Sequence, residues 1–436
     1  MSHLGVALLM VLLVLAGWGI STAGRLHRWT LQFMTGAVIF HLLLASFDFL
    51  GIRWSRAALV LPLALAAVLG FRRRQRAERT ERTGWGDGAA LFALTAFGLF
   101  APTLWVTTPD FVYHWGIKGH RFFLARGVDY EWLARDWNWV LHPDYPNLLP
   151  ELFAGSALLA GRFEAPSMML WAVLFFAMTI ASGREALRQA GVHGPLAQMG
   201  LAVLAFSLAG FAIGQRMAGA ADWMPALALV ASLPALLRPP DREGDLEVGF
   251  AAAFAAASKI EGMPLAVFLA GVQLLRRVLG ERRINPVAAL RLALPTAAVA
   301  ILWAARTFVH GLYQKFNTGA FDPGRAPEVL RGLAEVSAWK ESWHGLTLLL
   351  LLLPLLLLPR RTRPAAAVAT LQLLFYLWIY FSAAVDTEYQ VISSFQRLAM
   401  HLIPAVVVLG TVALGEKAPP PLPGRGDGEA GEGAGG

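Results

Sequence analysis

The chain has 436 residues, of which 56% are hydrophobic and only 15% charged, with a mean hydropathy of +0.53. A soluble domain carries about 25% charged residues, so a cytosolic globule is excluded. The absence of cysteine excludes disulfides and thiolate metal or redox chemistry. The net charge of +8 comes largely from arginines clustered in short loops between apolar runs. A positive-inside bias accounts for them, so nucleic acid is not an expected partner.

Apolar runs of about 20 residues recur along nearly the whole chain, which is the signature of membrane spans. They fall at 4–22, 29–50, 56–71, 89–107, 166–183, 195–213, 223–238, 248–260, 262–276, 287–309, 344–359, 365–384 and 398–415. These predict an all-α polytopic membrane protein of about 13 transmembrane helices. The first run leads straight into another with no A-x-A-like site between them, so it reads as an anchor and not a cleaved signal. The apolar stretch 148–159 is only about 12 residues long and flanked by Pro150 and Glu151, so it reads as an interfacial or re-entrant helix.

Orientation follows from the basic loops. The segment from Arg72 to Arg82, the stretch from Arg276 to Arg283, and Arg360, Arg361 and Arg363 are predicted to be cytoplasmic. Tracing parity from them puts Arg25, Arg28, Arg184, Arg188, Arg238 and Arg242 on the same side, with the N-terminus outside and the C-terminus inside. Three regions result: a three-span N-terminal segment over 1–88, with no evident part in the chemistry, a main membrane domain over 89–415, and a disordered cytoplasmic tail over 416–436. The tail holds Pro419, Pro420 and Pro421 before its Gly/Glu repeats. No internal repeat is evident.

Two outside loops, 107–165 and 310–343, are too long to be mere connectors. The first opens with Thr107-Thr108-Pro109-Asp110-Phe111-Val112-Tyr113-His114-Trp115-Gly116-Ile117-Lys118. Asp110 follows a span directly and is therefore held at the membrane boundary. If the segment is α-helical, Asp110, Tyr113 or His114, and Ile117 or Lys118 share a face. The alternative is an interfacial amphipathic helix anchored by Trp115, Phe122 and Phe123. The loop closes with His142-Pro143-Asp144-Tyr145-Pro146, whose prolines make a stiff extended turn.

Other ionisable residues lie where a bilayer discourages them. Asp222 stands at an outside span boundary, and Lys259 and Glu261 interrupt an apolar hairpin at its outer tip. Such residues mark function by default, against the alternatives of a self-satisfied Lys259–Glu261 pair or a snorkelling lysine. Arg397 and His401 begin the last span at the same face, where a lone arginine otherwise serves as a headgroup anchor. All these positions map to the extracytoplasmic boundary. Carboxylates beside a lysine and an arginine suit a phosphate-bearing lipid and a hydroxyl to be deprotonated.

With these residues in view, the chain resembles the integral-membrane GT-C glycosyltransferases that use polyprenyl-phosphate sugar donors. That superfamily includes aminoarabinose transferases, protein O-mannosyltransferases and rhizobial lipopolysaccharide-core galacturonosyltransferase-like proteins. The resemblance rests on Thr108-Pro109-Asp110, Trp115-Gly116-Ile117-Lys118, His142-Pro143-Asp144-Tyr145-Pro146, Gly219-Ala220-Ala221-Asp222, Ser258-Lys259-Ile260-Glu261-Gly262, and Gln396-Arg397 followed by His401-Leu402-Ile403-Pro404. In order and spacing these motifs cover 90–415.

The resemblance implies a GT-C-like bundle whose long first outer loop is catalytic and contains short interfacial helices. It implies Asp110 as the base that deprotonates an acceptor hydroxyl, with inversion at the anomeric carbon. Lys118, Lys259 and Arg397 would bind the donor phosphate, with Tyr113, His114, His142, Asp144, Tyr145, Asp222, Glu261 and His401 completing the donor and acceptor sites. The implied partners are a polyprenyl-phosphate-linked sugar, a glycan, lipid or protein acceptor, and the bilayer of a bacterial-type plasma membrane. Metal-dependent members carry a second acid in the first loop, which Asp110-Phe111-Val112 lacks. A required metal is therefore not expected, Asp222 or Asp144 being the residues able to complete a divalent site. Three spans ahead of that loop also exceed the single one usual in these enzymes.

Two readings from other classes compete. A transporter or lipid flippase would use the same charges along a path reaching the midplane, whereas here they gather at one face. A structural scaffold leaves the Lys259-Ile260-Glu261 interruption unexplained.

Overall fold

The computed structural model describes residues 2–18, 28–71, 84–214, 217–283, 285–312, 319–338, 345–382 and 386–417. Outside these lie Arg25 and the end of the first candidate span, the basic segment 72–82, parts of the second long loop (313–318 and 339–344) and the tail from 418 onward.

The described residues form helices and turns with no strand. In chain order come α1 (Ser2–Trp18), α2 (Arg28–Phe49), α3 (Arg56–Phe71) and α4 (Trp85–Phe100), the last running into a 3₁₀ turn, Ala101–Val106. The first long loop holds a π turn (Phe111–Trp115), α5 (Gly116–Ala125), α6 (Tyr130–Leu133) and a 3₁₀ turn (Asp136–Leu141). Next come α7 (Leu148–Ala160), α8 (Ala165–Met168), α9 (Leu170–Gln189), α10 (Gly194–Gly214), α11 (Trp223–Leu236), α12 (Arg242–Ser258), α13 (Gly262–Glu281) and α14 (Pro286–Val309). A short 3₁₀ turn (Pro323–Arg325) leads into α15 (Ala326–Ala338), and another (Leu346–Leu352) into α16 (Leu353–Leu356); α17 (Arg363–Phe381), α18 (Thr387–Met400) and α19 (Ile403–Lys417) follow.

Local chemistry sets the ends of these elements. Asn285 caps α14 by accepting from the amides of Val287 and Ala288, with Pro286 at the first helical position. Asp241 caps α12 and Asp386 caps α18 in the same manner.

Seven helices among the described residues are long and apolar enough to cross a bilayer: Trp29–Phe49, Trp85–Val106, Ala165–Gln189, Gly194–Ile213, Gly262–Glu281, Pro286–Val309 and Arg363–Phe381. An eighth is counted if α18 and α19, bent by 50° at a break, form one span. The break has a cause: Pro404 lacks an amide proton and cannot continue a helix running through His401. Apolar side chains exposed along α4 and α14, among them Phe92, Leu99, Leu294 and Ile301, form the surface such a helix shows to lipid. The protein is an α-helical integral membrane protein.

The span count read from sequence is higher than this. The runs at 4–22, 56–71, 223–238 and 344–359 form apolar helices of only 10–17 residues. The run at 248–260 belongs to α12, whose first turns carry Arg242, Glu243, Asp245 and Glu247. Stretch 148–159 is α7, buried along nearly its whole length.

Packing joins the N-terminal helices to the rest. α1 and α2 approach closely at Gly17 and Gly36, where a Cβ would collide with backbone of the other helix. α1 also packs on α7, and α2 on α12. A buried hydrogen bond ties α2 to α7, between His41 Nδ1 and Glu151 Oε2 at 2.7 Å. The helices α11, α12 and α13 pack side by side, and α15 lies against α18.

Candidate functional site

Four breaks in the helical fold meet at one place. Asp110 stands just ahead of the π turn, Asp222 at the start of α11, Lys259 and Glu261 between α12 and α13, and Arg397 with His401 at the α18–α19 bend. Breaks free backbone and side chains from the regular pattern, which is why charged residues are tolerated there. Two glycines permit the approach: a Cβ on Gly219 would strike Phe111, beside Asp110, and one on Gly262 would strike the carbonyl of Ala255.

Asp222 is the centre. Its Oδ1 accepts from Lys259 Nζ at 2.9 Å and from His401 Nε2 at 3.0 Å, and its Oδ2 faces Arg397 Nη2 at 3.4 Å. The same Arg397 nitrogen donates to Asp110 Oδ2 at 2.5 Å. Lys259 Nζ also lies 3.4 Å from Glu261 Oε1. An ionised carboxylate only accepts, so the neutral His401 ring carries its proton on Nε2 and its Nδ1 accepts from Tyr376 Oη at 2.5 Å. Gln372, one turn before Tyr376, donates to the Glu261 carbonyl at 2.9 Å.

The network has a deep end and an accessible end. Side chains of Asp222 and His401 are fully buried and that of Lys259 is 4% exposed, while Asp110 is 13% and Arg397 32% exposed. A ligand arriving from outside therefore meets Asp110 and Arg397 first. Lys259 faces two carboxylates, so the rival reading in which Glu261 alone neutralises it gives way to one centred on Asp222.

A second cluster lies beside the first. Lys118 is fully buried, donates to the His142 carbonyl at 3.3 Å and sits 4.4 Å over the Trp115 ring. The rings of His114, His142 and Tyr145 follow one another at 4.9 and 4.6 Å, and Tyr145 lies 6.0 Å from Trp115. Burial pushes Lys118 down to about 7 and His114 down to about 4, and it raises Asp144 to about 6. Asp110, Arg397 and Lys259 lie near enough to act on His114, so the two clusters are neighbours.

The expected shared α-helical face after Asp110 is corrected by the π turn. Five residues spanning that turn rotate the helix relative to an α register. Lys118 and Trp115 point inward, whereas Tyr113 is exposed and belongs to neither cluster. Of the two carboxylates able to complete a divalent site, Asp222 has both oxygens engaged by cations and His401, and Asp144 lies in the second cluster. Among the described residues no group of three His, Asp or Glu side chains is arranged to hold a metal ion.

Several participants were not named from the sequence. Gln372 and Tyr376 stand one turn apart on the largely apolar α17, and His41 is an ionisable group inside a span. Both patterns were readable signals. Trp303 and Arg306 in the last turns of α14, which donate to the Asp144 and Tyr145 carbonyls at 2.5 and 2.8 Å, gave none. No protein-family model, curated protein or solved structure matches the chain.

Proposed function

We propose that the protein is a membrane glycosyltransferase of the GT-C type, moving a sugar from a polyprenyl-phosphate donor to an acceptor hydroxyl with inversion. The observation that carries this reading is the sharing of Arg397 by Asp110 and Asp222, which brings together side chains as far as 287 positions apart. A guanidinium at the accessible end suits a phosphate oxygen pair, and a carboxylate beside it suits an acceptor proton.

In this mechanism the donor phosphate takes Arg397, and Asp110 is freed. The acceptor oxygen then attacks the anomeric carbon while its proton passes to Asp110. The bond from that carbon to the phosphate oxygen breaks, and its electron pair leaves on polyprenyl phosphate, whose charge Arg397 stabilises. Lys259 and His401 hold Asp222, and Asp222 fixes one side of Arg397. Lys259 therefore acts through position more than by contact. No step of this mechanism calls on a metal.

The finer topology belongs to the same proposal. The short apolar helices cross the bilayer with their neighbours, giving about 13 crossings. The N-terminus and the site then face the extracytoplasmic side of a bacterial-type plasma membrane. Polyprenyl-phosphate sugars of several classes, supplied to the purified chain with candidate hydroxyl acceptors, test the reading. Donor-dependent release of polyprenyl phosphate by wild type but not by Asp110→Asn supports it; release of equal size from both refutes it.

One observation favours a transporter: two helical breaks at the site, 259–261 and 401–402, are the kind that line substrate paths. The opposite ends of α11, α12 and α13 are closed by ion pairs of Arg277 and Arg238 with Asp245 and Glu247. Closure there supports the one-sided transferase over a path open to both faces.

A further inference from the structure

The second cluster contains buried polar atoms that the protein leaves without a partner: Trp115 Nε1, His114 Nδ1, Asp144 Oδ1 and Arg306 Nε. Buried side-chain polar groups are nearly always satisfied, so several orphans in one cluster point to a polar ligand. The orphans include both donors and an acceptor. They sit against the tilted rings of Trp115, His142 and Tyr145. Apolar faces with a few placed polar groups are how small-molecule sites are built, and a ring with one C–H face and hydroxyls around its edge fits them.

The backbone supports a binding role. His142 holds a left-handed conformation, φ 49°, a region that residues other than glycine adopt at a cost and that recurs at functional sites. Trp303 and Arg306 grip the Asp144 and Tyr145 carbonyls. The turn is thus held by its carbonyls, and the Asp144 carboxyl is not needed to hold it. Position adds the last constraint. His114 lies one turn beyond Asp110 and feels Arg397 and Lys259, so whatever occupies this cluster lies next to the phosphate end of the network.

We infer that the cluster formed by His114, Trp115, His142, Asp144 and Tyr145 is the subsite that receives the sugar ring of the donor. The ring stacks on the aromatic wall, with hydroxyls donating to Asp144 Oδ1 and accepting from Trp115 Nε1. This inference rests on the transferase reading, and the test separates the two.

The full chain in detergent micelles is titrated with bare polyprenyl phosphate and with polyprenyl-phosphate lipids bearing a neutral hexose, an aminopentose or a hexuronic acid. At least one sugar-bearing lipid is expected to bind about tenfold or more tighter than the bare lipid. Trp115→Phe keeps a ring but removes the donor, and Asp144→Asn removes the charge. Each is expected to cut that gain to about threefold or less while leaving the bare-lipid affinity within about twofold, since a site's unpaired polar groups set such discrimination. An unchanged bare-lipid affinity also shows that each variant has folded. The inference is overturned if the gain survives both substitutions, as it does when the cluster binds the acceptor or only water, or if no sugar improves on the bare lipid. The transferase reading itself fails separately, if bare polyprenyl phosphate does not bind or binds equally well to Arg397→Gln.

Discussion

The two ends of α11, α12 and α13 carry ion-pair networks built on opposite plans. At the end formed by the close of α11, the start of α12 and the close of α13, Arg277 meets Asp245 through Nη2 at 2.7 Å and through Nε at 3.2 Å to both oxygens. Arg276 donates to Gln273 Oε1 and to the Ala235 and Arg238 carbonyls, and Arg238 pairs with Glu247 at 3.0 Å. These partners all come from the three helices and the short turn between α11 and α12. At the other end, Asp222 and Lys259 from the same helices draw in Asp110, Arg397, His401 and Tyr376 from distant segments. There one nitrogen serves two carboxylates and one carboxylate oxygen serves two donors. The first plan is a clamp, in which Arg277 grips Asp245 with planar bidentate geometry and its neighbours tie the helix ends together. The second is a shared arrangement with one end open to a ligand, able to exchange partners.

The largest contrast between the ends is in activity. Asp110→Asn is expected to lower glycosyl transfer by about 1,000-fold or more, the scale of a lost general base, with folding and membrane insertion unchanged. Asp245→Ala leaves Arg277 with Glu281 as its carboxylate partner and is expected to cost about 1–3 kcal/mol of stability while transfer per folded molecule persists. Thermal unfolding and transfer measured on both variants check this. If Asp245→Ala loses transfer while keeping its melting temperature, the clamp is not a clamp.

A second test concerns which carboxylate Lys259 serves. Lys259→Met leaves the buried Asp222 with His401 and a 3.4 Å contact to Arg397, and is expected to destabilise by about 3 kcal/mol, the low end of the range for breaking a buried pair. Adding Glu261→Gln removes only the more exposed partner, 3.4 Å away, and is expected to restore little. Adding Asp222→Asn removes the stranded charge and is expected to restore most of the melting temperature but not transfer. Recovery of transfer in either double variant would remove the Lys259–Asp222 pair from the mechanism.

How much of this was legible beforehand differs between chemistry and geometry. Asp110, Asp222, Lys259 and Arg397 were readable because charges are costly in apolar surroundings, and a sequence displays that conflict directly. Their pairing was not readable. Arg397 reaches Asp110 across 287 positions, and only the α18–α19 bend at Pro404 and the close approach at Gly219 decide that contact. The π turn was hidden for a similar reason, since Phe111–Trp115 has no composition that separates a five-residue turn from an α-helical one. All seven long spans among the described residues coincide with apolar runs of the sequence, whereas α11 and α12 show that an apolar run does not fix helix length. Their ends are set by Asp222, Asp241 and Lys259, which answer to the two networks.

Lys118 sharpens the contrast through pH. Burial lowers it from 10.5 to about 7, and its neighbours are a carbonyl and a ring face, not the bidentate carboxylate given to Arg277. Below pH 7 both folded and unfolded chains hold the proton, and the folded state bears the full burial penalty. Between pH 7 and 10.5 the unfolded chain binds more protons, so stability rises with pH across that window. Lys118→Met conserves volume and removes the penalty. It is expected to gain up to about 4 kcal/mol at pH 6.5, shrinking as pH approaches 10. Melting temperatures at two pH values decide it; an equal gain at both would show that the lysine does not titrate in this window.

The smallest expected effect is the one most particular to the open end. If Arg397 leaves Asp110 to take a phosphate, the two ligands compete for one nitrogen, and binding must break the 2.5 Å contact first. Asp110→Asn keeps the shape of the side chain but turns that contact from an ion pair into a weaker bond between the guanidinium and a neutral amide oxygen. The variant that abolishes transfer is therefore expected to bind bare polyprenyl phosphate about three- to tenfold tighter, a gain of roughly 1 kcal/mol. Neutral polyprenol, which offers Arg397 no charge, is expected to bind both forms alike. A catalytic base with no part in holding Arg397 would leave phosphate affinity unchanged on substitution, and one that itself contacts the lipid would weaken it. Either result would mean that the donor phosphate does not displace Asp110 from Arg397, and the exchange of partners that sets this end apart from the clamp would not occur.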